Sequence, residues 1–340
     1  MSIDPKKAAA IGGGVLVLGA AAFFLLVKSP AEVVRNLTED PRCPLTDKEP
    51  RDEAQLDRPG LAVKIENNSS AYPLSGLEDA EIVYEELVEG GITRFMAIYH
   101  CTDAQQAGPV RSARMVDPAI MKPYTSILAF AGANDIVDAH LEEADLVLLT
   151  EGTDGFERIP REGITSEHTL YVDTRTVRKQ GEEDFGDAPP EVFSFGKLPE
   201  GAKKARAVSI EFSGATTVSF EWDGKRWLRF DGGAPLLDDS GEQIAVDNVL
   251  IEEHNIELSQ EIVDTAGNPS VEISDETGSG RAVLFRDGRA LTGTWSRESI
   301  EDPATFETKN GDEMRLKSGT TWIELVPSQA GEVKGSFNYE

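Results

Sequence analysis

The sequence predicts an α+β protein with an N-terminal transmembrane helix, a mixed α/β domain and a mostly antiparallel β domain. Three observations support this fold class. An uncharged run extends from Ala8 to Val27, strand-like and helix-like segments alternate over residues 57–190, and short strands with turn dipeptides fill residues 205–327. Hydrophobic residues make up 39% of the 340-residue chain, which excludes a wholly disordered protein and a multi-span transporter.

The first predicted element is a membrane anchor within residues 1–28. A helix of about 20 residues is about 30 Å long, the thickness of the hydrocarbon core of a bilayer. A cleavable signal peptide is the alternative, because the small residues Ala20, Ala21 and Ala22 could precede a cleavage site. The apolar run continues beyond them, and no lipobox cysteine follows it, so a lipid anchor is not expected. We therefore expect a single-pass cell-membrane protein with its soluble domains outside the cytoplasm.

Residues 29–56 are rich in proline and charge and lack an apolar period, so they are predicted to form a tether. The whole chain has 33 basic and 61 acidic residues, a formal charge of −28. Nucleic-acid binding requires clustered Lys and Arg, so this acidity argues against a nucleic-acid partner.

The α/β domain is predicted over residues 57–190. The segments LAVKIEN, EIVYEELV, ITRFMAIYH and SILAFAGA are typical of buried strands. The segments RMVDPAIMKPY and DIVDAHLEEADLVLL are helical or partly helical in pattern. The Gly-, Pro- and acid-rich segment near residues 180–191 predicts a linker or long loop.

Turn dipeptides organise the predicted β domain at residues 205–327. A two-residue turn at Asp223-Gly224 would pair Phe220 with Trp227 and Glu221 with Arg226. A two-residue turn at Asp287-Gly288 would likewise pair Leu284 with Leu291. The dipeptide Asn310-Gly311 is a third hairpin signal.

Two segments carry a resemblance to a known family. The run from Arg58 to His100, with its VEGGITRF, and the segment GPVRSAR at residues 108–114 resemble the YerB-like family of exported bacterial proteins. Segments of the C-terminal half, such as Gly319-Thr320-Thr321-Trp322, also resemble that family's second domain. The resemblance implies two domains and no known reaction. Tyr72-Pro73-Leu74 and Thr169 depart from the family pattern, as does a plain transmembrane anchor, since members are commonly lipoproteins.

Arginines on the resembling segments are the candidate ligand-binding residues. Arg94, Arg111, Ser112 and Arg114 could present guanidinium groups and a hydroxyl to a phosphate or carboxylate. The alternative is that these arginines are structural and pair with neighbouring acids.

Glu85 and His168 are the candidate catalytic residues. Strand alternation places either Glu85 or Glu86 inward, where Arg94 across the Gly-Gly turn is the expected cationic partner. A buried glutamate could act as a general acid or base, although a structural Glu-Arg bridge is the simpler interpretation. His168 lies on a resembling segment after a polar loop, and a surface histidine with no role is its alternative.

The cysteine count predicts one disulfide. Cys43 and Cys101 are an even pair in a domain expected outside the cytoplasm, and two unrelated thiols are the alternative. The four histidines show no metal-binding spacing, and no phosphate-loop or dinucleotide motif is present, so no metal and no cofactor are expected.

The function favoured by the sequence is a binding or assembly factor of the cell envelope with an anion-binding pocket. Its expected partner is an envelope component or a protein, through an anionic group. The rival hypothesis is an envelope transferase or hydrolase acting on a phosphorylated or acidic cell-wall substrate.

Overall fold

The structure, a computed structural model, describes residues 40–182, 186–264 and 266–340. The predicted anchor and residues 29–39 of the predicted tether lie outside these ranges. Within the described ranges, no helix is both long and apolar enough to cross a membrane.

The described part of the chain is rich in β-structure and has few helices. The helices are α1 (Asp117–Met121), α2 (Asp135–Glu143) and α3 (Thr174–Gly181). The strands are, in chain order, β1 (Leu61–Asn67), β2 (Ile82–Leu87), β3 (Thr93–Tyr99), β4 (Ile127–Ala129), β5 (Val147–Leu149), β6 (Phe156–Arg158), β7 (Leu170–Val172), β8 (Lys203–Lys204), β9 (Ala207–Glu211), β10 (Thr217–Trp222), β11 (Trp227–Asp231), β12 (Ala234–Pro235), β13 (Ala245–Val246), β14 (Asn248–His254), β15 (Ile256–Val263), β16 (Pro269–Ile273), β17 (Gly278–Arg286), β18 (Arg289–Arg297), β19 (Thr305–Thr308), β20 (Thr321–Pro327) and β21 (Ser336–Tyr339).

One large sheet runs through both halves of the chain. Its strand order is β19-β18-β17-β14-β20-β2-β3-β1-β4-β5, with β8 beside β18. The late strand β20 lies between β14 and β2 and is parallel to both, so that Thr321 is opposite both Asn248 and Ile82. The two predicted domains therefore share a continuous sheet.

A smaller sheet, ordered β12-β11-β10-β9-β21 with β13 beside β11, packs on one face of the large sheet. One core forms between the sheets, from Val63, Val83, Phe95, Val249 and Trp322 of the large sheet and Val208, Ile210, Phe220 and Trp227 of the smaller sheet. The opposite face of the large sheet is covered by α1, α2 and long loops, and forms a second core around Met96, Ile120, Leu284 and Ile323. Both faces of the large sheet are therefore buried.

The turn at Asp287-Gly288 confirms the predicted pairing of Leu284 with Leu291. Asp287 and Gly288 both have positive φ, as a type I′ turn requires.

The predicted register of the β10–β11 hairpin is wrong. Trp227 is opposite Trp222, and Phe220 is opposite Arg229. The Asp223 carboxylate accepts hydrogen bonds from the backbone N–H groups of Lys225 (2.6 Å) and Arg226 (2.7 Å). Asp223 therefore precedes the turn instead of forming its first central residue, so the turn moves by one residue and each cross-strand partner moves by two.

The segment from Cys43 to Asp47, which the sequence assigned to the tether, packs into the body. Cys43 and Cys101 are joined by a disulfide with a Cα–Cα distance of 6.1 Å. Leu45 is completely buried, and the Gly319 N–H donates to the Thr46 carbonyl at 2.8 Å.

Candidate functional site

The site begins where two parallel strands separate. β1 and β4 pair only at Ala62–Leu128 and Val63–Ala129. Beyond those pairs, the segment 109–113 enters between them. Arg111 N–H donates to the Lys64 carbonyl of β1 at 2.9 Å, and Ala131 N–H, just after β4, donates to the Arg111 carbonyl at 2.9 Å. A crevice at the carboxyl ends of parallel strands is a common place for ligands in α/β sheets.

A cleft of about 460 Å³ opens at this point, next to the ends of β4 and β5. We call it the β4–β5 cleft. Its polar lining consists of Arg111, Asp138, Thr150, Glu151, Arg158 and Glu167. Arginine and carboxylate groups together suit a polar ligand that carries both an anionic group and hydrogen-bond donors.

Arg111 is the predicted residue that lines the cleft. Its side chain is 27% exposed, and its Nε lies 3.3 Å from Glu66 Oε1, too poorly aligned for a hydrogen bond. Its Nη1 donates to the Glu167 carbonyl at 3.1 Å. Arg158, the other arginine of the cleft, is exposed and forms a two-point ion pair with Glu151 at 2.6 Å on each arm.

Arg94 and Arg114 meet at the backbone carbonyl of Ser112. The Ser112 carbonyl accepts a hydrogen bond from Arg94 Nη1 at 2.9 Å and from Arg114 Nη1 at 3.3 Å. Arg114 also pairs with Glu89, whose other oxygen accepts from Ser270 Oγ at 2.7 Å. Arg114 is therefore paired with a neighbouring acid, as the structural alternative in the sequence analysis expected.

Arg94 has no such partner. Arg94 is buried, with only 6% of its surface exposed. Within the described ranges, no carboxylate forms a salt bridge with it, and its Nε has no hydrogen-bond partner. Burial, together with the nearby charge of Arg114, lowers the pKa of Arg94 to about 9. A buried guanidinium without a counter-ion favours the approach of an anion to this region.

The expected pairing of a strand glutamate with Arg94 does not form. Glu86 is opposite Arg94 in the sheet, but its cationic partner is Lys64, which also lies 2.6 Å from Asp117 Oδ1. Burial raises the pKa of Glu86 to about 7, against the opposing charge of Lys64. Both Glu85 and Glu86 are buried, because both faces of the sheet are covered.

Glu85 faces the core between the two sheets and does not line the cleft. Its Oε2 lies 2.5 Å from Arg229 Nη2, and its Oε1 accepts from Thr93 Oγ1 at 2.6 Å. Strand alternation separates it from the face that carries Arg94 and Glu86. Glu85 is therefore a structural residue of the core, separated from the other predicted site residues.

His168 lies beside Arg111 through a shared carboxylate. His168 Nδ1 is 2.7 Å from Glu66 Oε2, while Arg111 contacts the other oxygen of Glu66. His168 is buried, with an exposure of 8%.

The structure thus brings together Arg111 and His168 at the Glu66 carboxylate, and Arg94 and Arg114 at the Ser112 carbonyl. The sequence analysis missed Glu66, Glu167 and Arg158. The signal for Glu66 was available, because LAVKIEN contains two charged residues, Lys64 and Glu66, at alternate positions of a strand that is otherwise apolar. Arg158 ends the three-residue strand β6, and Glu167 lies in the turn at residues 166–168, so both are in elements too short for a periodic pattern to mark them.

The fold and the site define a class of protein: a β-rich protein of two segments that share one sheet, with an arginine-bearing cleft at its parallel edge. Residues 45–186 match the N-terminal domain, and residues 208–323 the C-terminal domain, of the family described as "Protein of unknown function (DUF3048)". The chain belongs to this family.

The YerB protein of Bacillus subtilis (strain 168), named "Putative lipoprotein YerB", is 26% identical over 321 residues, covering 90% of this chain and 92% of the relative. The crystal structure of YerB from Bacillus subtilis superposes with a TM-score of 0.71 at 24% identity, covering 88% of this chain and all of that chain. The structural likeness supports the fold.

Proposed function

We propose that this protein is an extracytoplasmic envelope binding protein, anchored through residues 8–27, that holds a phosphate-bearing component in the β4–β5 cleft. Arg111 is the contact for the phosphate. The observation that carries the proposal is the combination of a partly exposed Arg111 in the cleft with the buried Arg94, which donates to the carbonyl of the next residue, Ser112, and forms no salt bridge within the described ranges.

Phosphate fits this arrangement better than carboxylate. A phosphate group has three free oxygens and accepts from several guanidinium N–H groups, whereas a carboxylate has two oxygens. The acids Asp138 and Glu151 and the hydroxyl of Thr150 line the same cleft and can accept hydrogen bonds from hydroxyl or amino groups. The ligand class is therefore a phosphorylated sugar or a similar hydroxyl-bearing phosphate.

The anchor and location rest on separate support. Both cysteines of the chain are joined to each other, which suits an oxidising compartment and leaves neither for a lipid. A membrane helix at residues 8–27 then supplies the attachment that a lipid supplies in a lipoprotein.

Calorimetric titration of the full chain in uncharged detergent tests the ligand, with inorganic phosphate, glucose 6-phosphate, glucose and acetate as probes. Glucose 6-phosphate should bind tightest, and acetate and glucose should bind weakly or not at all. Arg111→Ala should weaken binding of the phosphorylated probes by about 10- to 150-fold, the loss of one or two charge-assisted hydrogen bonds.

Arg315→Ala is the matched control, because Arg315 is half-exposed and pairs with Glu313 at 3.5 Å near the other end of the large sheet. It should leave binding unchanged. Unchanged phosphate binding in Arg111→Ala, together with a lower melting temperature, would show that Arg111 is structural and that the proposal is wrong.

A further inference from the structure

The ring of His168 is oriented by a carboxylate, because its Nδ1 lies 2.7 Å from Glu66 Oε2. When Nδ1 carries the proton of the neutral ring and donates it to Glu66, the lone pair is on Nε2. Nε2 lies 3.4 Å from Ser70 Oγ and 3.4 Å from Oε1 of the exposed Glu167 side chain.

Three arginines fix the turn that carries this ring. Arg158 donates to the Ser166 carbonyl, Arg111 to the Glu167 carbonyl at 3.1 Å and Arg161 to the His168 carbonyl at 3.1 Å. Each backbone carbonyl of the turn at residues 166–168 therefore has its own guanidinium donor. A base whose position is set by a carboxylate on one side and a braced backbone on the other is prepared for proton transfer.

The position of Ser70 shows that a hydroxyl group fits beside Nε2, but the Ser70 hydroxyl does not donate its proton to His168. Its Oγ donates to Asn68 Oδ1 at 2.7 Å, much closer than the 3.4 Å to His168. Ser70 is exposed, so a water molecule can reach the same side of the ring.

We propose that His168, positioned by Glu66, is a general base that activates water for hydrolysis of a phosphoester held by Arg111, which makes this protein a phosphoester hydrolase. This inference rests on the proposed phosphate site. The water oxygen forms a bond to phosphorus while one of its protons passes to His168 Nε2. The bond from phosphorus to the ester oxygen breaks, that oxygen keeps the electron pair, and it takes the proton back from the imidazolium. The ester and water become a phosphate and an alcohol.

Arg111 joins the two parts of this mechanism. It lines the cleft and also contacts Glu66 and the turn of His168. A guanidinium in that position balances the charge that develops on the phosphoryl oxygens in the transition state.

Turnover of p-nitrophenyl phosphate and bis(p-nitrophenyl) phosphate by the full chain in uncharged detergent tests the inference. The wild-type protein should release p-nitrophenol from at least one of them. His168→Asn should lower kcat by about 10²- to 10⁴-fold, the usual contribution of a general base. Glu66→Gln should lower kcat less, because the ring remains hydrogen-bonded.

Arg315→Ala is the control and should retain wild-type kcat, because Arg315 is half-exposed and does not line the cleft. Ser70→Ala distinguishes water from Ser70 as the nucleophile, and turnover should persist because water is the nucleophile. Loss of activity in Ser70→Ala, or full activity in a folded His168→Asn, would overturn the mechanism. Absence of wild-type turnover would overturn it too, whether or not the variants fold. If phosphate binding still depends on Arg111 in that case, only the hydrolase inference fails. If binding is absent as well, the proposed function fails with it.

Discussion

Glu85 of β2 and Arg229 of β11 form an ion pair that joins the two sheets, with Glu85 Oε2 2.5 Å from Arg229 Nη2 and both side chains completely buried. Glu324 of β20 is next to Glu85 in the sheet register. Burial, and then the charge of Glu85, raise the pKa of Glu324 well above its ordinary value. Burial and the Glu85 charge therefore disfavour ionisation of Glu324, while Glu85 is the group in direct contact with Arg229.

The first prediction concerns this pair. Arg229→Ala should lower the free energy of unfolding by about 3–5 kcal/mol, because it leaves the Glu85 charge buried without a partner. Urea unfolding measures the change. Arg206→Ala, which removes an exposed arginine, should change it by less than about 0.5 kcal/mol. The double variant Glu85→Gln, Arg229→Met should recover much of the loss, because it removes both charges. A loss below about 1 kcal/mol in Arg229→Ala would contradict the role of the pair.

The second prediction concerns the Cys43–Cys101 disulfide. It closes a loop across a sequence separation of 58 residues, and the chain-entropy account assigns about 4 kcal/mol to a loop of this size. Cys43→Ser with Cys101→Ser should therefore unfold at lower denaturant than the oxidised protein and match the reduced wild type. Mass spectrometry after alkylation of the unreduced protein should find no free thiol. Two alkylated thiols would exclude the bond in the protein as it is made.

The third prediction is a loss of stability at alkaline pH through His254. This ring stacks on Trp295 with centroids 4.4 Å apart and contacts Asp275 (3.1 Å) and Glu252 (3.3 Å). Burial opposes its charge, but the hydrogen bonds to Asp275 and Glu252 outweigh burial and raise the pKa of His254 to about 9.

Because the folded pKa lies above the ordinary value of 6.5, the stabilisation by His254 is complete below about pH 6.5 and is lost as the pH rises through about 9. The loss is at most about 3.5 kcal/mol at about 1.4 kcal/mol per unit of pKa. Thermal melts from pH 6 to 10 should show the wild-type curve falling toward that of His254→Gln. Parallel curves across the whole range would show that the charge of His254 does not support the fold.

The fourth prediction concerns topology. If residues 8–27 span the membrane with the N-terminus inside, protease added to cells without outer barriers should digest residues 29–340. The same protease should leave a cytoplasmic control protein intact. Protection of the body from digestion would place it inside the cell and contradict the predicted orientation.

Much of the strand content was predictable from the sequence. The segments containing β1, β2 and β3 are apolar and rich in β-branched or aromatic residues, and the structure places strands in each of them. The hairpin at Asp287-Gly288 was predictable in register because two adjacent residues with positive φ define a type I′ turn. At Asp223-Gly224 the same dipeptide gave a wrong register, because the Asp223 carboxylate accepts a hydrogen bond from the Lys225 N–H and a different turn forms.

The candidate site was only partly predictable. Arg94, Arg111, Arg114 and His168 were found from their segments, but their partners Glu66, Glu89 and Ser112 carbonyl lie on other elements. Either Glu85 or Glu86 was expected to pair with Arg94, on the assumption that one face of the sheet is exposed. Both faces are buried, and Glu85 pairs instead with Arg229, 144 residues away in the chain.

The sequence by itself determined the local elements, the acidic charge, the apolar N-terminal run and the residues with chemical potential, because these depend on composition and short-range pattern. Only the tertiary structure decided that β20 joins the two halves in one sheet and that the segment 109–113 separates β1 from β4 to open the cleft. Strand pairing and ion pairing are contacts between residues far apart in the chain, and their choice depends on which surfaces the whole fold buries.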